Sequence, residues 1–588
     1  MPIGAELFVQ AAGQLGIDTV FTLVGDHLNE VLVAAARAGM RIVDMRHESG
    51  VTHAADAWAR IHRKPALSLV TGGPGHTNSL TGIATAMLAG SPLIAVSGSR
   101  ARALAHRQAF QDIDQVEMAR PVVKWAAEPP NAAQIPFYLQ RAYVEANSGR
   151  KGAVHLTIPV DLFTESTHET SGRAWPGVDE PASLWGGPDG RPNSVGTAIE
   201  MLRGAHRPIV IAGSGVWWSH GENALRQFIE RTNIPLYTIT MGRAAVADDH
   251  PLVMGYADPA LNHAVHAAFR EADVFLIVGK RIDYRLAMGG ARLFPAHAKF
   301  IQVDIHPQEL GLNHALEAAI CADARAALES LTAAAGASAW PAGPWLDRVR
   351  ALREAWKSRL AADAADGASP LHPAAFFREA RSALSGDVLY SDVLYSWDGG
   401  DFAHWGRAML PALHAGGWLR LGPLGTIGSS LPNAIALQLA HPGRRVVAIT
   451  GDGALGFYLA EMDTAVRHKL PIVVIVGNDA GWGLERELQS FAASGAASGV
   501  GAGAPTPGSG AVTSPGAGAP SVACELQSAR YDLVMQAFGG AGETIERLEQ
   551  VRPALQRAFA SGVPYCVNVK IRGVRSPFTE WQIAGKKR

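Results

Sequence analysis

Cysteine is scarce. Cys321, Cys524 and Cys566 are the only three in 588 residues, too few and too scattered for a disulfide framework or a zinc knuckle. A reducing cytoplasm fits that usage. Excess charge is equally lacking: 52 Lys and Arg stand against 53 Asp and Glu, a formal net charge of -1. Nothing there drives binding to nucleic acid or to an anionic membrane, and a small-molecule substrate is the expected partner. Long hydrophobic runs are missing too. RVVAIT and LPIVVIVG fall well short of the ~20 residues that span a bilayer and match buried parallel strands instead. The opening stretch MPIGAELFVQAAGQLGIDTVF carries no basic leader and is interrupted by Glu6, Gln10 and Gln14, so no targeting signal is expected. The expectation is a soluble, cytoplasmic protein.

What is present is alternation. Length alone suggests three domains of ordinary size. Across 1–170, helical patterns separate the short apolar runs DTVFTLV, RIVDM, ALSLVTG, PLIAVSG and AVHLTIP; a Pro-, Gly- and Asp-rich stretch near 165–190 reads as a linker. PIVIAGSG, IPLYTIT, ADVFLIVG and KFIQVDI mark a second unit over 190–335, and DVLYSD, RVVAIT, LPIVVIVG and PYCVNVKI a third over 370–575. The fold class expected is α/β, three doubly wound parallel sheets. Residues 492–520 contain only Ala, Gly, Ser, Pro, Thr and Val; this flexible low-complexity loop is either a tolerated insertion or a cover for the site. No G-x-G-x-x-G follows the first strand, which sets a nicotinamide-binding reading aside.

The sharpest motif is GDGALGFYLAEMDTAVRHKLPIVVIVGNDAGWG, Gly451 to Gly483. A buried strand ends in Gly451-Asp452-Gly453, the chain crosses over, and the next strand ends in Asn478. Both strand ends of a right-handed crossover open at one edge of the sheet, so Asp452 and Asn478 can meet on one ion. Magnesium suits those oxygens, with the Ala480 carbonyl and two diphosphate oxygens supplying three more positions of its octahedron. Backbone amides at Gly453 and Ala454, and the positive end of the following helix, would approach the phosphates.

With that motif, DMRHESGVTHAADAWAR, TGGPGHTN, AFQDIDQVEMARPVVKWA and GPLGTIGSS together resemble the thiamine-diphosphate enzyme family, which contains acetolactate synthases, benzaldehyde lyases, oxalyl-CoA decarboxylases and 2-hydroxyacyl-CoA lyases. The resemblance runs over nearly the whole chain. It implies a pyrimidine-binding first domain, a central domain and a diphosphate-binding third domain, with thiamine diphosphate and magnesium as cofactors. It places Glu48 at the end of the second strand, against the pyrimidine of cofactor bound across a subunit interface, where a carboxyl group favours the tautomer that removes the thiazolium proton. It assigns Pro74 and Asn78 to the pyrimidine side, and Gly425 with Ile427, the apolar wedge, to the other face. Gly399, Gly400 and Asp401 fall to the diphosphate end, and Gly481 and Trp482 to the cofactor-contacting set.

The cofactor does not name the substrate, because its electron sink serves the loss of carbon dioxide or of an aldehyde alike. His27 matches a substrate-facing histidine of benzaldehyde lyases, and Gln111 a glutamine shared by lyases and acetolactate synthases. A neutral imidazole there can shuttle the hydroxyl proton of an acyloin. The expected activity is therefore a carbon-carbon lyase or carboligase of 2-hydroxy carbonyl compounds, of the 2-hydroxyacyl-CoA lyase or benzaldehyde lyase type. The alternatives are an acetolactate synthase-like decarboxylating ligase of 2-keto acids and, in another class, an inactive cofactor-binding regulatory paralogue. Aldehyde, 2-hydroxy ketone, acyl-CoA or 2-keto acid would be the substrate. For a CoA thioester the basic tail IAGKKR, with Arg572 and Arg575, could meet the phosphates. Family sites form between subunits, which implies a homodimer at least and a homotetramer by preference.

Overall fold

The computed structural model describes residues 1–167, 194–384, 393–493 and 521–586. The expected linker and loop lie almost wholly outside these, as do the last two residues of the basic tail.

Among the described residues, eighteen strands form three sheets of six. The first contains β1 (Thr19–Thr22), β2 (Arg41–Asp44), β3 (Ala66–Val70), β4 (Leu93–Ser99), β5 (Ala126–Ala127) and β6 (Val154–Pro159), in the order β2-β1-β3-β4-β6-β5. The second contains β7 (Pro208–Ala212), β8 (Leu236–Thr238), β9 (Val253–Tyr256), β10 (Val274–Val278), β11 (Lys299–Asp304) and β12 (Ala318–Cys321), in the order β12-β11-β10-β7-β8-β9. The third contains β13 (Val393–Trp397), β14 (Trp418–Arg420), β15 (Arg445–Gly451), β16 (Val473–Asn478), β17 (Ala541–Ile545) and β18 (Tyr565–Lys570), in the order β14-β13-β15-β16-β18-β17. The outer two sheets share one strand order. The middle sheet has the order of a dinucleotide-binding fold, with its reversal between β7 and β10.

Neighbouring strands are parallel, and the central ones are buried at nearly every position, as VVIVGN in β16 shows. That continuous apolar run marks a strand covered by helices on both faces. One expectation shifts. DVLYS occurs twice in tandem, and the run proposed as a strand, DVLYSD, is the first copy, outside the described residues; the second copy forms β13. Asp398 follows it directly and accepts the amides of Gly399 and Gly428, each at 2.9 Å, and the hydroxyls of Ser430 and Thr450 at 2.9 and 3.0 Å. That fully buried carboxylate anchors the end of the second copy. No helix among the described residues is long and apolar enough to cross a membrane.

The first and third sheets are locked together through the helix Glu48–His62. Glu461, fully buried, accepts the Arg46 amide through both oxygens at 3.2 and 3.3 Å, and Ser49 shares a 2.8 Å hydrogen bond with Tyr458. Burial, ahead of its hydrogen bonds, pushes Glu461 up to about 7. The folded chain then keeps a proton that the unfolded chain releases near 4.5, so this contribution is full below pH 4.5 and is lost as pH rises toward about 7. Glu461→Gln should flatten that decline in melting temperature; equal declines in both proteins would contradict the assignment.

Candidate active site

In the third sheet, Gly451 pairs with Gly477, so Asp452 and Asn478 leave the same edge side by side. Both are 2% exposed. Asp452 accepts the Gly453 and Gly481 amides, one on each oxygen, at 3.0 Å. Asn478 donates its NH2 to the Ala529 carbonyl and to Asn568 Oδ1, at 2.9 and 3.0 Å. Both donors are thereby used, and the amide oxygen is turned to the opposite side, where it accepts the Ala480 amide at 3.2 Å. Ala480 bends the chain in the left-handed region, φ 55°. Two details bear on the expected roles here. The helix meant to offer its positive end is only Asp452–Leu455, and the Gly453 amide already serves Asp452. The Ala480 carbonyl also accepts the Leu526 amide at 2.7 Å, leaving one lone pair for an ion.

A cavity of about 110 Å³ opens over this edge. Gly399, Gly400, Asp401, Ile427, Gly451, Asp452, Gly453, Ala454, Gly481 and Trp482 line it; Gly425, Asn478 and Ala480 do not. The Trp482 ring covers Gly453 so closely that a Cβ there would meet it at 2.9 Å. Ile427, which its apolar character alone would assign to the core, is half-exposed on the cavity wall. Asp401 lines this cavity and has a further use: its Oδ1 accepts the Ser576 amide at 3.1 Å and the Thr579 hydroxyl at 2.5 Å, at the start of the helix Pro577–Lys586. Burial pushes it up to about 6.

The donor set fits a hard cation. Burial raises Asp452, and it pushes neighbouring Asp479 up to about 7, with the charge of Asp452 adding to the effect. A divalent ion would relieve both. No three His, Cys, Asp or Glu side chains converge as a metal site among the described residues, so such an ion needs amide, carbonyl and ligand oxygens to complete its shell.

The second cluster belongs to the first sheet. β2 ends at Asp44, and Glu48 is the first residue of the helix Glu48–His62 rather than the last of the strand. Its Oε2 accepts the Asn78 amide at 3.0 Å. Asn78 lies on the helix Pro74–Ala89, where proline takes the first turn and Gly73 adopts φ 61°. The two helices touch where Gly82 faces Thr52, leaving no room for a Cβ. His27 is 6% exposed; its Nδ1 lies 2.8 Å from the Thr71 hydroxyl and 3.3 Å from the Gly72 amide that donates to it. An amide can donate only to a bare nitrogen, which puts the ring proton on Nε2. Burial lowers His27, against the opposing charge of Asp26, so the ring is neutral near pH 7. Gln111, at φ 59°, folds over Gly73, and its Oε1 is buried without a partner among the described residues. Gly75 lies between Thr71 and Glu48, because a Cβ there would meet Thr71 at 2.9 Å and Glu48 at 3.6 Å.

Family models match in three places. The N-terminal TPP binding domain of thiamine pyrophosphate enzymes covers residues 3–118, the central domain 195–331 and the C-terminal TPP binding domain 398–569. The chain belongs to the thiamine pyrophosphate enzyme family. Each TPP-binding match holds one of the two clusters, and the two matches support thiamine diphosphate as the cofactor. The chain is similar to a probable acetolactate synthase of Mycobacterium bovis, 34% identical over 94% of this chain and 93% of the relative. It is similar also to 2-hydroxyacyl-CoA lyase 1 of Mus musculus, 30% identical over 97% and 94%, and to oxalyl-CoA decarboxylase of Escherichia coli K12, 29% identical over 97% and 95%. In this thiamine pyrophosphate enzyme, Asp398, Asp479, Thr71 and Gln115 escaped the sequence reading. Gln115 is 2% exposed, accepts the Gly73 amide at 2.9 Å and donates to the Gly98 carbonyl at 3.1 Å. The signal was available for Asp398, a lone carboxylate ending an apolar strand; nothing local marked Gln115. Gln115→Leu would strand the Gly73 amide, costing about 1–3 kcal/mol; denaturant titration should show that loss, and an unchanged midpoint would remove Gln115 as the brace of the turn.

Proposed function

We propose that this chain is a thiamine-diphosphate- and magnesium-dependent carbon-carbon lyase or carboligase that cleaves or forms 2-hydroxy carbonyl compounds, of the 2-hydroxyacyl-CoA lyase or benzaldehyde lyase type. The neutral, oriented imidazole of His27, beside Gln111 on the turn that faces Glu48, carries this reading. When bound, the cofactor supplies a nucleophilic carbon and an electron sink beside the substrate carbonyl. Glu48 holds the proton needed at the pyrimidine, and Asn78 fixes the orientation of that carboxyl. His27, with Nδ1 occupied, offers Nε2 to move the hydroxyl proton of a 2-hydroxy carbonyl substrate. Asp452 and Asn478 hold magnesium, with the free lone pair of Ala480, and Ile427 props the ligand from the cavity wall.

The first-sheet cluster contributes nothing to the lining of the third-sheet cavity. Apolar Phe110 and Val24 are 77% and 63% exposed beside it. Both facts support completion of the site by a second copy, in a homodimer at least and by preference a homotetramer, and the proposed location is the cytoplasm. A decarboxylating ligase of 2-keto acids is the alternative, supported by the relative named as a probable acetolactate synthase. An inactive regulatory paralogue is disfavoured because Glu48, Asp452 and Asn478 are all present.

Mass spectrometry of products from benzoin, a 2-hydroxyacyl-CoA and pyruvate separates these readings. Aldehyde release, or formyl-CoA with an aldehyde or ketone, supports the lyase; acetolactate with carbon dioxide supports the ligase; no product from any of them supports the silent paralogue. Glu48→Gln should retain the cofactor and lose turnover about a hundredfold or more. His27→Ala should impair acyloin cleavage more than cofactor binding, and equal losses would make His27 structural.

A further inference from the structure

Glu48 opens the helix Glu48–His62, and the first amides of a helix have no partner inside it. His47 serves one of them from within the segment, its Nδ1 accepting the Ser49 amide at 3.1 Å. The rest of the turn is held from the third domain. Tyr458 and Glu461, both buried, lie shortly after Asp452, in the short helix Gly456–Tyr458 and at the first position of the helix Glu461–Arg467. Glu461 Oε1 sits so close under the turn that a Cβ on Gly50 would meet it at 2.6 Å. The same carboxyl accepts the Arg46 amide, two residues before Glu48. Its Oε2 also takes the Thr464 hydroxyl at 2.6 Å, which limits its freedom to swing. On the other side of Glu48, the Tyr458 hydroxyl meets Ser49, and the Tyr458 ring stands edge-on to His47 and His53, with centroids 6.2 and 5.6 Å away. Further back, Arg467 and His468 hold Asp44 at the end of β2, with His468 Nε2 3.0 Å from Asp44 Oδ1.

Asp44, Arg46 and Ser49 are therefore all held by one stretch of the third domain. Yet among the described residues none of its side chains hydrogen-bonds the Glu48 carboxyl, whose partner is Asn78. Such an arrangement fixes a backbone and leaves the reacting atoms untouched. Displacing a reactive group by ~1 Å can cost about a hundredfold in rate, and a buried carboxyl that binds the neighbouring domain's amide resists that displacement. We infer that Glu461, supported by Tyr458, is a positioning residue for Glu48: it sets the first turn of the helix so that the Glu48 carboxyl is presented to the pyrimidine. The inference rests on the proposed role of Glu48. It also links the two clusters, since the stretch that clamps this turn begins at Asp452.

The test follows deuterium exchange of the thiazolium proton of thiamine diphosphate, quenched in acid and read by NMR, in full chains loaded with cofactor and magnesium. Cofactor affinity is measured by isothermal titration, and amide hydrogen exchange across residues 44–50 is measured without cofactor. Glu461→Leu should bind the cofactor within about threefold of wild type, slow the thiazolium exchange about tenfold or more and lose amide protection around Arg46. Glu461→Gln keeps an acceptor oxygen and should restore both. Tyr458→Phe removes only the Ser49 contact; it should slow the thiazolium exchange about threefold or more, and it carries the test should Glu461→Leu not fold. Glu48→Gln separates the two claims. If its exchange stays fast, the reading of Glu48 fails and this inference with it. If its exchange is slow while Glu461→Leu and Tyr458→Phe match wild type, the inference alone is overturned, as it is by equal slowing in Glu461→Leu and Glu461→Gln.

Discussion

The common opening of parallel strands at their carboxyl ends is the constraint on which the rest of the molecule depends. Because β15 and β16 run in register from Val447 with Val473 to Gly451 with Gly477, a carboxylate and an amide that follow those strands must emerge together. A one-residue slip would send one of them to the other face of the sheet. The glycines are part of the same constraint. Gly477 has no room for a Cβ against Phe402, and Gly453 none against Trp482.

Around each reactive group, a second tier of hydrogen bonds leaves only one orientation open. Asn568 and the Ala529 carbonyl turn Asn478, Asn78 holds Glu48, and Thr71 with the Gly72 amide sets the tautomer of His27. Such preorganisation is what lets a site act on a developing charge without first rearranging. Buried acids follow another logic. Asp398 and Glu461 line neither of the two cavities of about 150 and 110 Å³, yet one ties the turn carrying Ile427 to β13 and the other ties the third sheet to the segment just before Glu48. Positions of groups on different sheets are thereby coupled through carboxylates that sequence motifs do not single out.

The central strands were legible because burial on both faces demands an unbroken apolar run. The strands that escaped, β5, β9, β12, β14 and β17, are all sheet edges. AGETI in β17 shows why: with partial exposure at most positions, its composition resembles a loop. DVLYS was ambiguous for the opposite reason, two identical apolar runs competing for one place in the sheet. At the site, Glu48, Asp452 and Asn478 stood out through their motifs, and the cavity gathers most of the glycines expected there. The use of Asp401 to hold the last helix, and of Gln115 to brace a distant turn, depends on contacts across long stretches of chain that no local pattern encodes.

The central claim is that the two clusters are halves of sites completed by a second copy. Mixing inactive Glu48→Gln chains with inactive Asp452→Asn chains under conditions of subunit exchange tests it directly. If the halves meet between subunits, each mixed dimer holds one site with both residues intact, and activity should return to roughly a quarter of wild type for random pairing of twofold dimers. If the halves meet within one chain, every site keeps one defect, and a mixture as inactive as its parents would contradict the account.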